Sequence, residues 1–193
     1  NLKRYRLDLS DTGATIVGQD QLPAIDDETG FFNTEAVSYW SDSSLPADGL
    51  EVTQGGMAQH LTLPRNIKTT KDGKLIDFSS SNFTDAELDI VGKSADHKQR
   101  LLDWAQGIDV DAGLDVNGEP IPRLSIEDPL HSEPTIITYS SSINQSTGKK
   151  TQDRTLFLGT NSGYLHAFDV SEQSPKEFFA FIPKELVQNL DKY

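Results

Sequence analysis

The sequence predicts a mainly β fold that carries helical insertions. Its apolar residues come in short runs, such as those at 15–18, 135–138 and 155–159, and turn-forming residues separate them. Runs of this length are typical of strands, whereas a helical bundle needs longer amphipathic stretches. The hydrophobic share of 35% is also below the value of roughly 45–50%, counted with Gly, that globular domains show. We therefore expect long polar loops between the strands.

The composition argues against several classes of partner and site. Of the 193 residues, 30 are acidic and 17 are basic, so the net charge is −13. Nucleic acids and anionic membrane surfaces attract basic proteins, and we expect neither as a partner. The sequence has no cysteine, which excludes disulfides and thiolate metal sites. It also has no apolar run of the length that a membrane span requires.

Residues 1–82 predict strands, a hairpin and loops. The segments 1–8 and 14–17 have strand-like patterns around a turn at 11–13. The hairpin is predicted at 65–78, because an Asp-Gly pair separates two alternating runs there. Asp-Gly is a favoured pair for the two-residue type I′ turn, in which both residues take positive φ.

Residues 83–123 predict a helical insertion and a polar loop. Thr84 and Glu87 have the spacing of a capping box, which predicts the start of a short helix. The strongest helical pattern covers 94–107, where Ser94 is a suitable N-cap.

The apolar stripe of this helix predicts how it packs. Its members are Leu101, Leu102, Trp104 and Ala105, and Gly107 follows as a terminator. We expect the helix to pack on the outside of a sheet through Leu101 and Trp104. The second tryptophan, Trp40, is likewise interpreted as a packing residue.

Residues 124–183 predict a meander of four antiparallel strands, with a flexible hairpin tip at 140–150. Four antiparallel strands are the content of one propeller blade. The pattern LFLGTNSGYLHAFD at 156–169 is similar to the blade signature of quinoprotein-type propellers, with Gly163 suited to the turn. Residues 184–193 begin a further element. We therefore expect the whole chain, 1–193, to be a fragment of one partial, modified β-propeller domain.

Further short motifs occur along the chain in a characteristic order. They are NLKRY at 1–5, SYWS at 38–41, GGMA at 55–58, LLDWAQGID at 101–109, DPLHSEP at 128–134 and AFIP at 180–183. As an ordered set, which covers nearly the whole chain, they resemble the C-terminal domain of the PilY-type type IV pilus biogenesis factors and tip adhesins.

This resemblance implies a modified β-propeller with helical insertions, in a secreted protein that is not an enzyme. It implies roles in pilus biogenesis, twitching motility and surface adhesion. The implied partners are pilus assembly proteins or minor pilins and a host or abiotic surface. The implied location is the pilus tip, cell surface, outer membrane or periplasm. Two alternatives stay open: a fragment of a quinoprotein-like dehydrogenase, or a generic propeller scaffold of the cell envelope.

The same resemblance implies that the full-length protein binds calcium, because the family has an Asp/Asn-rich calcium loop. We expect that loop beyond Tyr193 in the full-length protein, and no cofactor in this chain. Within the chain, the nearest metal-site candidates are Asp109, Asp111, Asp115, Asn117 and Glu119. Alternating acidic side chains suit calcium, but the EF-hand pattern requires Gly and Glu where Leu114 and Pro120 stand. An ordinary solvated loop is the favoured interpretation.

The motif at 128–132 contains an acid, a histidine and a serine, which are the residue types of a hydrolase triad. A triad is defined by spatial geometry, which three neighbours in sequence rarely supply. We therefore expect Asp128, His131 and Ser132 to bond backbone groups where the chain enters the meander. His166 is interpreted as a packed residue, and neither His60 nor His97 has a partner at metal-ligand spacing.

Overall fold

Two β-sheets organise the described part of the chain, and each lies in one of two compact units. The computed structural model describes residues 1–10, 13–42, 44, 47–171 and 175–192. Unit 1 is mainly Asn1–His60, and unit 2 is mainly Leu61–Arg123 and Glu127–Ser171 with the strand and helix that follow. The two sheets confirm the mainly β class. Neither sheet closes into a barrel, and the propeller arrangement stays a prediction.

The strands and α-helices are numbered in chain order. They are β1 (Arg6–Ser10), β2 (Gly13–Val17), β3 (Ile67–Lys71), β4 (Lys74–Asp77), α1 (Ala95–Ala105), β5 (Thr135–Ile143), β6 (Lys150–Gly159), β7 (Leu165–Asp169), β8 (Lys176–Phe181) and α2 (Lys184–Val187). Every helix among the described residues is too short or too polar to cross a bilayer.

Unit 1 combines the β1–β2 hairpin with irregular chain that surrounds a buried carboxylate. The hairpin is antiparallel, as its two predicted strands require, although part of the predicted turn, 11–12, lies outside the described residues. The Asp48 carboxylate accepts hydrogen bonds from the Ser38 amide at 2.9 Å and the Ser41 hydroxyl at 2.7 Å. The Lys3 ammonium lies 3.3 Å from it. These partners satisfy a charge that would otherwise be costly to bury.

Unit 2 contains a six-stranded sheet in the order β4-β3-β8-β7-β6-β5. Strands β5 to β8 pair antiparallel with their neighbours in sequence, so the predicted four-stranded meander is confirmed. The hairpin of β3 and β4 joins the same sheet through a short parallel pairing of β3 with β8. This junction was not predicted, because its partners are more than 100 residues apart in sequence.

The β3–β4 and β5–β6 hairpins of unit 2 follow from local chemistry. Asp72 and Gly73 have φ values of 50° and 71°, as the predicted type I′ turn requires. The predicted flexible tip at 140–150 is shorter than expected, since β5 continues to Ile143. The Ser142 and Thr151 hydroxyls hydrogen-bond across the two strands at 2.8 Å and extend the ladder.

Helix α1 confirms the strongest helical prediction. The Ser94 hydroxyl accepts a hydrogen bond from the His97 amide at 3.1 Å, which is the expected N-cap. Leu101 and Leu102 are buried in a core with Ile67 of β3 and Ala180 of β8, and Trp104 packs half-buried against it. The helix thus covers one face of the sheet, as its apolar stripe predicted.

The predicted helix after Thr84 is wrong, although its capping box forms. The Thr84 amide donates to Glu87 at 2.7 Å, and the Glu87 amide donates to the Thr84 hydroxyl at 3.3 Å. The chain then leaves the helical region at Asp89, where φ is 57°, and only turns are formed. Burial of Leu88 and Ile90 on opposite sides of that residue stabilises the turn instead of a helix.

Candidate functional site

The strand register divides the side chains of the unit 2 sheet between two faces. Residues that pair across antiparallel strands lie on the same face. His166 pairs with Ala180, which in turn pairs with Ile67 on β3. These three residues are buried, and α1 packs over this face through Leu102 and other core residues. One face of the sheet is therefore covered within unit 2.

The other face carries apolar side chains that water still reaches. Phe157 pairs with Ala167, which pairs with Phe179, so all three lie on this second face. We define the open apolar face by Ile137, Phe157, Leu165, Phe179 and Phe181. Ile137 and Leu165 are 43% and 41% exposed, and the three Phe side chains are partly exposed. A sheet face of this composition is normally buried by a second layer.

Strand β5 extends this exposed surface to the edge of the sheet. All nine of its residues are exposed, including Ile136 on the face opposite Ile137. Among the described residues, no strand pairs with its outer edge. A register shift between Thr138 and Ser140 places Tyr139 in a bulge. A bulge in an edge strand makes it harder for another chain to pair unspecifically with that edge.

Hydrogen bonds connect the DPLHS motif, which precedes the meander, to the β6–β7 turn. Asp128 accepts hydrogen bonds from the Leu130 amide and the Asn161 side chain, both at 2.9 Å. The Ser132 hydroxyl accepts from the Gly159 amide at 3.0 Å. His131 is exposed, and the structure gives no hydrogen bond that joins it to Asp128 or Ser132. Asp128 and Ser132 therefore have the backbone-bonding role expected of them.

The first metal-site candidates are engaged in a turn and an ion pair. The Asp109 carboxylate accepts from the Asp111 and Ala112 amides, both at 3.1 Å. The Asp111 carboxylate lies 2.7 Å from the Arg100 guanidinium. Both contacts use oxygens that a calcium ion would also need.

The remaining candidates form a second turn. The Asp115 carboxylate accepts from the Asn117 amide at 2.8 Å and the Glu119 amide at 2.9 Å, and these backbone hydrogen bonds lower the pKa of Asp115. In the part of the chain that the structure describes, no three His, Asp or Glu residues are placed to hold a metal. Calcium at these five residues stays a prediction.

A buried ion cluster lies on the covered face of the unit 2 sheet. It consists of Arg65, His166 and Glu177, whose side chains are 4%, 1% and 6% exposed. Arg65 donates two hydrogen bonds to the Glu177 carboxylate, from Nε at 2.8 Å and from Nη2 at 2.7 Å. His166 Nδ1 lies 2.8 Å from Oε1 of the same carboxylate. Sequence reasoning expected a packed His166 but missed its partners, because Arg65 and Glu177 are distant in the chain.

The cluster lowers the pKa values of both Glu177 and His166. For Glu177 the shift opposes the effect of burial, whereas for His166 it has the same direction as the effect of burial. Burial by itself would raise the pKa of Glu177, but the hydrogen bonds from His166 and Arg65 and the Arg65 charge outweigh it and lower that pKa to about 2. Burial lowers the pKa of His166, and the Arg65 charge adds to the effect, while Glu177 opposes both. Glu177 is therefore ionised and His166 neutral at neutral pH.

Unit 1 contains a small apolar cleft of about 330 Å³. The Tyr5 and Phe32 rings form part of its wall, with centroids 4.9 Å apart. The Lys3 ammonium at this cleft donates to the carbonyls of Gly49 at 3.1 Å and Glu51 at 2.8 Å, in addition to its ion pair with Asp48. Burial, together with the Asp48 charge, raises the pKa of Tyr5 to about 12.

The two tryptophans and the histidines His60 and His97 have structural partners. Trp40 is buried, and the Arg123 guanidinium lies 4.2 Å from the centroid of the Trp104 ring. His60 contacts the Trp40 carbonyl at 2.7 Å, and His97 contacts Asp191 at 2.6 Å. These residues support packing in each unit.

The geometry of the described residues thus favours binding through surfaces. The buried ion cluster of unit 2 is closed to a substrate by its burial. The open apolar face and β5 are, in contrast, accessible to another protein. The chain matches no family model, no curated protein and no solved structure.

Proposed function

We propose that this chain is a non-enzymatic module of a secreted type IV pilus biogenesis factor and adhesin, which acts through protein–protein contacts. The open apolar face of the unit 2 sheet is the observation that supports it most directly. Five apolar side chains on one face, three of them aromatic, leave apolar surface in water that a partner would cover favourably.

The proposed partner of this face is a second β-sheet, as in neighbouring blades of a propeller. Ile136 and Ile137 point to opposite faces of β5, so the start of the strand is apolar on both sides. Strands of this kind are typical of sheets that are covered on both faces. Two such sheets pack about 10 Å apart with interdigitated side chains. Part of the open apolar face would then be internal to the larger domain.

The ordered motifs are the basis for assigning the module to a pilus biogenesis factor. The blade-like pattern at 156–169 lies on strands β6 and β7, and the helical insertion precedes the meander, as the resemblance to the PilY-type family implies. Under this proposal the domain supports pilus assembly, through contacts with assembly proteins or minor pilins, and contributes to attachment.

The test introduces polar residues on the open apolar face in a piliated cell. The double substitution Ile137→Thr with Leu165→Thr keeps strand-forming side chains and removes apolar contact area. We expect fewer surface pili and reduced twitching, measured by pilin shearing and by the diameter of the motility zone.

A matched control replaces exposed apolar residues in the polar loop instead. Leu114 and Val116 are 64% and 100% exposed, so Leu114→Thr with Val116→Thr should leave pili and twitching unchanged. Immunoblots establish equal protein levels. Normal piliation in the Ile137/Leu165 variant would refute the proposed use of this face. Reduction of a dye by purified protein with quinone and calcium would support the dehydrogenase alternative instead.

A further inference from the structure

The β3–β4 hairpin is joined to the meander by few backbone contacts. The parallel pairing of β3 with β8 has two register positions, Ile67 with Ala180 and Lys68 with Phe181. The Ala180 amide donates to the Asn66 carbonyl at 3.0 Å, next to these pairs. A ladder of this length contributes little by itself, so side chains at the junction matter.

The buried ion cluster is one side-chain link at this junction, besides the Asn66 side chain, which donates to the Phe178 carbonyl at 2.8 Å. Arg65 lies two residues before β3, and Glu177 lies on β8, so their paired hydrogen bonds connect the hairpin to the meander. Arg65 also packs closely against Gly107 after α1, where its Cδ atom would lie 2.6 Å from an added Cβ. This tight packing leaves the Arg65 side chain little space to move while β3 stays paired with β8.

His166 also binds the carboxylate of this link, through a proton on Nδ1 that both the neutral tautomer and the imidazolium carry. The distance of 2.8 Å between Nδ1 and the Glu177 oxygen requires a proton on Nδ1. Nε2 of the neutral ring then holds a lone pair, and this buried atom has no hydrogen-bond partner. The ring lies between Tyr164 and Phe168, with centroid distances of 5.8 and 5.4 Å.

A second proton on His166 would disturb the cluster in two ways. It would place a new N–H donor on Nε2, where the structure offers no acceptor. It would also create a second cation beside Arg65, whose Nη2 lies 3.3 Å from Nδ1, against the single charge of Glu177. The remaining titratable neighbour is Tyr164, which is neutral and donates to the Ala105 carbonyl at 2.9 Å. Arg123 adds positive charge near Tyr164.

We propose that protonation of His166 releases the β3–β4 hairpin from β8, which makes this junction an acid-sensitive latch. Opening lets water reach the imidazolium and relieves its repulsion from Arg65. Burial lowers the pKa of His166 in the closed state below its ordinary value of 6.5, so the closed state is favoured above that pH. The free-energy difference that favours the closed state becomes smaller as the pH falls below 6.5 towards the lowered pKa of His166.

The latch is tested by amide hydrogen exchange of the whole chain at pH 7.5 and 5.0, corrected for intrinsic exchange rates. We expect protection at residues 66–68 and 180–182 to fall about tenfold or more at pH 5.0, since each pH unit below an unperturbed pKa changes the protonation ratio tenfold. Amides of the β6–β7 ladder should keep their protection.

Two variants assign the effect to His166. His166→Asn retains an N–H donor near the position of Nδ1 but cannot titrate, and we expect it to stay protected at both pH values. His131→Asn removes an exposed histidine, and we expect the wild-type pH dependence. Unchanged protection of the wild type at pH 5.0, loss of protection across the whole sheet, or a wild-type response of His166→Asn would overturn the latch.

If His166→Asn fails to fold, nitrogen-15 NMR of the wild-type ring provides the second measurement. We expect His166 to titrate below pH 6.5, together with the loss of the Ile67 and Ala180 amide signals. Titration of the ring without any change in those amides would contradict the proposal.

Discussion

The Glu177 carboxylate illustrates how one residue connects distant parts of the chain. It accepts two hydrogen bonds from Arg65 and one from His166 while nearly all of its surface is buried. Buried charges persist only where their partners satisfy them, because removal of one partner leaves the other uncompensated. Glu177 is therefore more important for stability than its position on a strand would indicate.

Replacement of Glu177 by Gln should destabilise the protein strongly. The variant keeps the size of the side chain but leaves the Arg65 charge buried without a counter-charge, which costs about 3–5 kcal/mol. Urea denaturation monitored by circular dichroism measures this loss. The control is Asp111→Asn, whose ion pair with Arg100 is exposed, and we expect little change in its midpoint. Equal stability of the two variants would contradict the prediction.

At the scale of elements, local signals succeeded where neighbours in sequence determine the conformation. The type I′ turn at Asp72 and the N-cap at Ser94 depend on φ preferences and hydrogen bonds within a few residues. The same local signal failed after Thr84, because the capping box specifies only the first turn. Continuation beyond that turn depends on the burial of Leu88 and Ile90, which is tertiary.

The N-cap prediction has a direct test. Ser94→Ala removes the acceptor for the His97 amide and should lower the free energy of unfolding by about 1 kcal/mol. Ser94→Asp should restore the stability, since a carboxylate also caps and complements the helix dipole. Thermal unfolding of the three proteins distinguishes these outcomes. Destabilisation by both substitutions would show that the hydroxyl has another role.

At the scale of the whole molecule, the two faces of the unit 2 sheet differ in their exposure to solvent. Ile137 and Leu165 lie on the open apolar face, whereas Leu158 lies on the covered face and is buried. The same sheet should therefore tolerate polar substitutions on one side and not on the other.

Unfolding free energies test this difference. Ile137→Thr with Leu165→Thr should change stability by no more than about 0.5 kcal/mol for each site. Leu158→Ala should cost about 2–5 kcal/mol, because it leaves a cavity. A large loss of stability in the Ile137/Leu165 variant would mean that the face is covered in solution.

The sequence by itself determined the mainly β class, the four strands of the meander, the type I′ hairpin and the capped helix. Each depends on periodicity or on hydrogen bonds between near neighbours, which are encoded locally. Only the tertiary structure decided that β3 joins β8, that Arg65 and His166 share the Glu177 carboxylate, and which sheet face stays open. Those features depend on contacts between residues about 100 positions apart or on strand register, and a single sequence does not encode such pairings in any local pattern.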